Sequence, residues 1–374
     1  MSMTPERSLI GCALALTVAS GAAAEAPRVA TDIAPVHGLV ARVMEGLGTP
    51  DLIVQPGSSP HDYAMRPSEA RALDRADAVF WVGPALEPWL DETIDTLAAD
   101  ALVVELLDAP GLDVLAFREG AVFDDHDHEH GEAHADEEHA GHEGEEDHAD
   151  HEGEDHADHA HEDDHAGHED EASHDEHAHD DHDDHGHDDH EDHADGGHEG
   201  HDHDGIDPHA WLDPENGKVW LGLIADELAA LDPDNAETYR ANAAAGREEI
   251  DAATAGARET LNAAGEIGFV VFHDAYHYYE TRFGLSAAGA ISLSDASDPS
   301  PARIEEVRDR VRDLGVACVF SEPQFNQSLV ATVTEGTEAK AAVIDPLGFD
   351  LEPGPGFYPE LIRAIADDIA GCAS

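Results

Sequence analysis

The chain has 374 residues, with 85 Asp and Glu against 18 Lys and Arg, for a formal net charge of −67. That balance argues against nucleic acid as a partner, because a phosphate backbone needs a basic face, and against an anionic membrane surface for the same reason. Residues 124–204 hold 24 histidines and 37 acids, no Lys or Arg, no aromatic residue and no Leu, Ile or Val. Such a segment has nothing to bury against its own ordering entropy, so it reads as a disordered insert in the folded chain.

In chain order, the first feature is a leader. Arg7, an apolar run over Leu9–Ala19 and the small residues Ala22, Ala23 and Ala24 form the layout of a secretory signal peptide, with cleavage expected near Ala24. The run is too short for a stable membrane anchor. Export leaves Cys318 and Cys372 as the mature cysteines, and an even count in an exported protein suggests one disulfide.

Short apolar runs at Arg28–Asp32, Asp51–Val54, Ala78–Val82 and Leu102–Leu106 read as strands. They alternate with helical patterns at Val36–Leu47, Pro67–Arg75 and Glu87–Ala98. That alternation predicts a parallel sheet with crossover helices. Beyond the insert, Pro214–Leu231 reads as a helix. A longer pattern over Asp234–Ala263 carries a stripe of Tyr239, Ala243, Gly246, Ile250, Ala253, Ala257 and Leu261, spaced by three and four. It would form a rod about 45 Å long. Strands at Gly268–Phe272, Ala287–Ile291, Val316–Phe320 and Ala341–Asp345 then resume. Helices at Ala275–Phe283, Pro301–Leu314, Gln324–Glu335 and Tyr358–Ile369 accompany them.

The expected fold class is therefore α/β: two lobes, each a mainly parallel sheet flanked by helices, joined by a single long backbone helix. The expected divisions are a leader at 1–24, a first lobe at 25–233 containing the 124–204 insert, a linking helix at 234–263 and a second lobe at 264–374.

Only five histidines lie outside the insert: His37, His61, His209, His273 and His277. His61, His209 and His273 fall at strand-to-loop transitions close to proline. Open α/β sheets collect ligands beyond the carboxyl ends of their strands, so these three are expected to converge in the cleft between the lobes. Asp345 also ends a strand. Three imidazoles plus a carboxylate or a water suit tetrahedral zinc. His37 and His277 read instead as polar helix residues. Asp62, Asp207 and Asp274 adjoin candidate ligands and could orient them or cap turns. Glu322 reads as structural or cleft-lining.

Seven motifs occur in order: Asp32-Ile-Ala-Pro-Val-His37, Pro60-His-Asp-Tyr-Ala-Met-Arg-Pro-Ser68, Phe80-Trp-Val-Gly-Pro84, Asp207-Pro-His-Ala-Trp-Leu-Asp-Pro214, Phe272-His-Asp-Ala-Tyr276, Phe320-Ser-Glu-Pro-Gln-Phe325 and Asp345-Pro-Leu-Gly348. Together they resemble the zinc-binding periplasmic components of ABC transporters, the ZnuA type within the cluster A-I solute-binding proteins. The acidic, His-rich insert at this position is also a feature of that family. The resemblance implies that His61, His209 and His273 bind Zn2+ as transported cargo. Manganese binders of the family carry a glutamate where His273 falls and use an aspartate at the position of Asp345, so the histidine points to zinc. Some zinc members have a glutamate just before the first histidine. Pro60 stands there in this chain, which leaves the fourth position to Asp345 or to water. The family commonly carries a disulfide in the second lobe, matching Cys318 and Cys372.

The resemblance implies a periplasmic, non-enzymatic monomer that hands zinc to a membrane permease and its ATPase, with the insert collecting additional ions weakly. Two other readings carry weight. A zinc-dependent hydrolase would need an open metal position and a general base, with Glu322 or Asp345 as candidates, and no His-Glu-x-x-His motif is present. A metal buffer or adhesin would need no transporter.

Overall fold

The computed structural model describes residues 26–118, 123, 205–292 and 299–373. The leader and the 124–204 insert lie outside the described residues. Among these residues, eight strands form two four-stranded sheets, parallel throughout.

The first sheet contains β1 (Val29–Thr31), β2 (Asp51–Leu52), β3 (Ala78–Trp81) and β4 (Leu102–Glu105) in the order β2-β1-β3-β4. The crossover helices are α1 (Ala34–Val43), α2 (Pro67–Arg75) and α3 (Pro88–Leu97). The second sheet contains β5 (Phe269–His273), β6 (Ala290–Ser292), β7 (Cys318–Ser321) and β8 (Lys340–Val343) in the order β6-β5-β7-β8. Its crossovers are α6 (His277–Phe283), α7 (Pro301–Leu314) and α8 (Gln327–Thr334). The two orders are the same. In each, the chain starts on a central strand, adds one neighbour, and then crosses to the other side. That reversal opens a crevice at the carboxyl ends of β1 and β3, and another at β5 and β7.

Between the sheets run α4 (Pro214–Leu231), the long α5 (Ala236–Ala264) and the C-terminal α9 (Phe357–Gly371). Proline in the first turn starts α2, α3, α4 and α7, where its missing N–H costs nothing. The buried residues of α5 are Tyr239, Ala243, Gly246, Ile250, Ala253, Ala257 and Leu261, the stripe expected from spacing. They pack against α4, α9 and α1. Small residues on that face let the helices approach closely. A Cβ on Gly246 would meet Leu221 at 3.0 Å, and one on Gly217 would meet the Tyr358 hydroxyl at 2.4 Å.

Strand alternation divides the apolar side chains into layers. Ala78 and Phe80 of β3, Phe269 and Val271 of β5, and Cys318 and Phe320 of β7 face inward. With α1, α4, α5 and α9 they form one continuous core that runs through both lobes. Val79 and Trp81 face outward onto α2 and α3. Val270, Phe272 and Val319 face outward onto α7 and α8. The disulfide Cys318–Cys372 ties β7 to the residue after α9, with Cα atoms 5.8 Å apart.

Candidate metal centre

His273 is the last residue of β5 and is buried. The β5–β7 register pairs Phe269 with Cys318 and Val270 with Val319. Continuing that offset by four residues places Glu322 beside His273. Glu322 is fully buried, and its Oε1 lies 2.7 Å from His273 Nδ1. Gln324 Nε2 donates to the other carboxylate oxygen at 2.9 Å. Phe325 meets the imidazole edge-on.

His209 precedes a single 3-10 turn at Ala210–Leu212 that leads into α4. Asp207, two residues earlier, accepts from the His209 backbone N–H at 3.0 Å and lies 2.7 Å from its Nδ1. Both residues are buried. The neighbouring Trp211 donates from Nε1 to the Pro346 carbonyl of the second lobe at 2.9 Å. His61 lies on the loop between β2 and α2 and is half-buried. Its loop is held through Pro60, whose carbonyl accepts from Trp89 Nε1 at 2.7 Å, and through Tyr63, which packs on the Trp89 ring.

The three imidazoles converge. Each offers a ligand atom, and these atoms lie within 4.8 Å of one another. His209 Nε2 and His273 Nε2 are 3.4 Å apart. Ligands about 2.0–2.1 Å from a tetrahedral zinc lie about 3.4 Å from each other, so this gap is already the zinc spacing. A carboxylate beside Nδ1 holds the proton on that nitrogen and leaves Nε2 with a lone pair.

Asp345 is not part of this group. It lies two residues past β8, and its carboxylate accepts from the backbone N–H groups of Leu347, Gly348 and Phe349. Burial raises its pKa, while those three donors pull the other way. The carboxylate therefore caps a turn, in which Gly348 adopts φ +68°.

The other candidates separate by position. His37 is buried in α1, where its Nε2 lies 3.1 Å from the Pro50 carbonyl, and burial lowers its pKa. It is thus a neutral, hydrogen-bonded core residue, and the exposure expected of a polar helix residue does not hold. His277 begins α6, with Nδ1 4.0 Å from Asp207 Oδ2. Asp207 holds His209 through its backbone N–H and Nδ1, whereas Asp62 is exposed and Asp274 pairs with Arg118. Glu322, read from the sequence as structural or cleft-lining, is found against His273 Nδ1. Sequence spacing could not show it, because 49 residues separate it from His273 and only the strand register joins them.

Two like-wound parallel lobes, a long helix between them and imidazoles gathered at the sheet ends define a two-lobed, metal-binding solute-binding protein. Residues 29–372 match the family described as "Zinc-uptake complex component A periplasmic", and the chain belongs to it. It is 42% identical over 355 residues to the high-affinity zinc uptake system protein ZnuA of Brucella suis biovar 1 (strain 1330), covering 95% of this chain and 94% of that protein. It is 44% identical over 366 residues to the ZnuA of Paracoccus denitrificans (strain Pd 1222), covering 98% and 97%. A crystal structure of ZnuA superimposes with a TM-score of 0.63 at 20% identity, covering 93% of this chain and all of that one.

Proposed function

We propose that this protein captures Zn2+ in the periplasm with His61, His209 and His273, and delivers it to the permease of an ABC importer. The observation that carries this reading is the cluster itself. Three ring nitrogens lie within ligating reach of one another, and two of the rings are backed by buried carboxylates. Imidazole donors favour zinc over the harder manganese or magnesium ions. Water completes the tetrahedron, since the Asp345 carboxylate already serves three backbone donors. The protein works as an exported monomer with its leader removed near Ala24.

The 124–204 insert binds further zinc ions weakly and exchanges them quickly, because imidazole is largely unprotonated near neutral pH and dense carboxylates attract cations. Hydrolysis finds little support in the site. Glu322 is committed to His273 and Gln324, and Asp345 to its turn, so neither candidate base is free to activate water.

The test is zinc competition against a chelator for the mature protein, a 124–204 deletion and His273→Ala. The deletion should keep one tight site while losing weak stoichiometry, and His273→Ala should lose the tight site. Tight binding that survives His273→Ala and disappears with the insert would place the metal on the insert and end this reading.

A further inference from the structure

The described residues that flank the insert pair with each other beside the metal centre. Ala116 and Ile206 form an antiparallel bridge. Phe117 donates its N–H to the Gly205 carbonyl at 3.1 Å, and Asp207 donates to Leu115 at 2.9 Å. The returning strand of this short ribbon therefore ends on Asp207, the acid that holds His209. The Tyr278 hydroxyl fastens the ribbon to α6, accepting from the Leu115 N–H at 3.0 Å and donating to the Asp207 carbonyl at 2.8 Å.

Arg118 completes the attachment. Its guanidinium binds Asp274, the residue after His273, and meets both carboxylate oxygens of Glu280 in α6 at 2.9 Å. Both acids are buried, and the Phe123 ring lies 3.7 Å from the guanidinium carbon. Arg118 follows the first sheet in sequence, and its partners follow β5 of the second. The pair thus crosses between lobes at the level of the imidazoles. Breaking it would leave two buried carboxylates without their cation, which is among the costlier local changes a fold can make.

We infer that Arg118 is a positioning residue that straps the base of the insert to the second lobe and thereby slows metal release from the cleft. This inference rests on the three-histidine reading. A shift of the ribbon moves Asp207 and with it His209, while a shift at the start of α6 moves Asp274 and with it His273. Zinc held by both histidines leaves only when they separate, and the strap opposes that separation. Its effect falls on dissociation, because the incoming ion meets the same three rings.

The experiment loads the mature protein with zinc and chases it with excess chelator, reading the slow phase. Arg118→Met should accelerate that phase roughly tenfold to a hundredfold, the range for loss of an outer ligand support, with a much smaller change in association. Arg118→Lys, which can pair with only one carboxylate well, should fall between the two. Arg118→Met should accelerate release by the same factor in protein that lacks residues 127–201.

The variant Arg118→Met/Asp274→Asn/Glu280→Gln removes all three charges and so keeps the fold free of an unpaired buried acid. It should also release zinc quickly. Arg42→Met breaks a pair with Glu249 on the α1–α5 contact and should leave dissociation unchanged. Wild-type dissociation in the folded triple variant would overturn the inference, as would an effect of Arg118→Met that vanishes in the deletion. Tight zinc binding by His209→Ala would instead overturn the underlying site reading.

Discussion

Imidazole has two nitrogens, and at His209 and His273 neighbouring acids have already assigned them. Asp207 and Glu322 each stand 2.7 Å from an Nδ1, so the ε nitrogens are the ones offered to the cleft. Glu322→Ala should therefore weaken zinc binding about tenfold to a hundredfold while keeping the same number of sites, as judged by chelator competition. An unchanged affinity would show that the acid only fills space. Asp345 makes the opposite test. Asp345→Ala strands three backbone donors and should cost about 1–3 kcal/mol of stability in denaturant unfolding, yet spare the tight site. A loss of zinc as complete as that of His273→Ala would put Asp345 on the metal instead of water. The three histidines stood out by their strand-to-loop positions, whereas adjacency marked Asp62, Asp207 and Asp274 alike and did not single out Asp207. Glu322 and Arg118 did not stand out, since each meets its partner across a long stretch of chain.

At the scale of elements, the two crevices carry opposite chemistry. At the second sheet, His273 and Glu322 meet across β5 and β7. At the first, Asp32 follows β1 and accepts from the Ile33 and Val82 N–H groups across β1 and β3, with Glu87 beside it. Asp32 and Glu87 are both completely buried. Burial pushes the Asp32 carboxyl up to about 7, against its backbone hydrogen bonds, and burial beside Asp32 raises Glu87 well above the ordinary range. A folded pKa above the unfolded value of 3.8 means the pair is fully tolerated below about pH 4. The Asp32 part of this stability is then lost as pH rises towards 7, and the raised Glu87 carboxyl adds a loss of the same sign. Glu87→Gln removes one acid and offers Asp32 an amide donor. In metal-free protein its melting temperature relative to wild type should rise from pH 4 to pH 8, and a difference that stays flat would refute the raised titration of this pair.

The disulfide belongs to the same scale. It closes a 54-residue span between β7 and the end of α9, which removes about 4 kcal/mol of unfolded-chain entropy in the loop-closure model. Replacing both cysteines with alanine should lower stability by about 2–5 kcal/mol and leave zinc stoichiometry intact, measured by unfolding and by titration.

For the whole molecule, the continuous core matters more than the division into lobes. Inner faces of both sheets share it with α1, α4, α5 and α9, and Trp211 and Arg118 add polar links from the first lobe to the second. A wide hinge opening would expose that core. Zinc loading should therefore shift loops and lobes only modestly, and scattering curves of apo and loaded protein lacking the insert should nearly superimpose. A large domain closure between them would count against a rigid scaffold.

The sequence by itself determined the alternation of strands and helices, the buried stripe of α5, the position of the acidic insert and the three histidines worth watching. These follow from local rules: apolar periodicity, proline at helix starts and composition too polar to bury. Only the tertiary structure decided which acids stand beside which imidazoles, that Asp345 caps a turn, that His37 belongs to the core, and that Arg118 pairs with Asp274 and Glu280. Those pairings depend on strand register and helix docking. Both are set by the packing of residues distant in the chain, which local spacing does not encode.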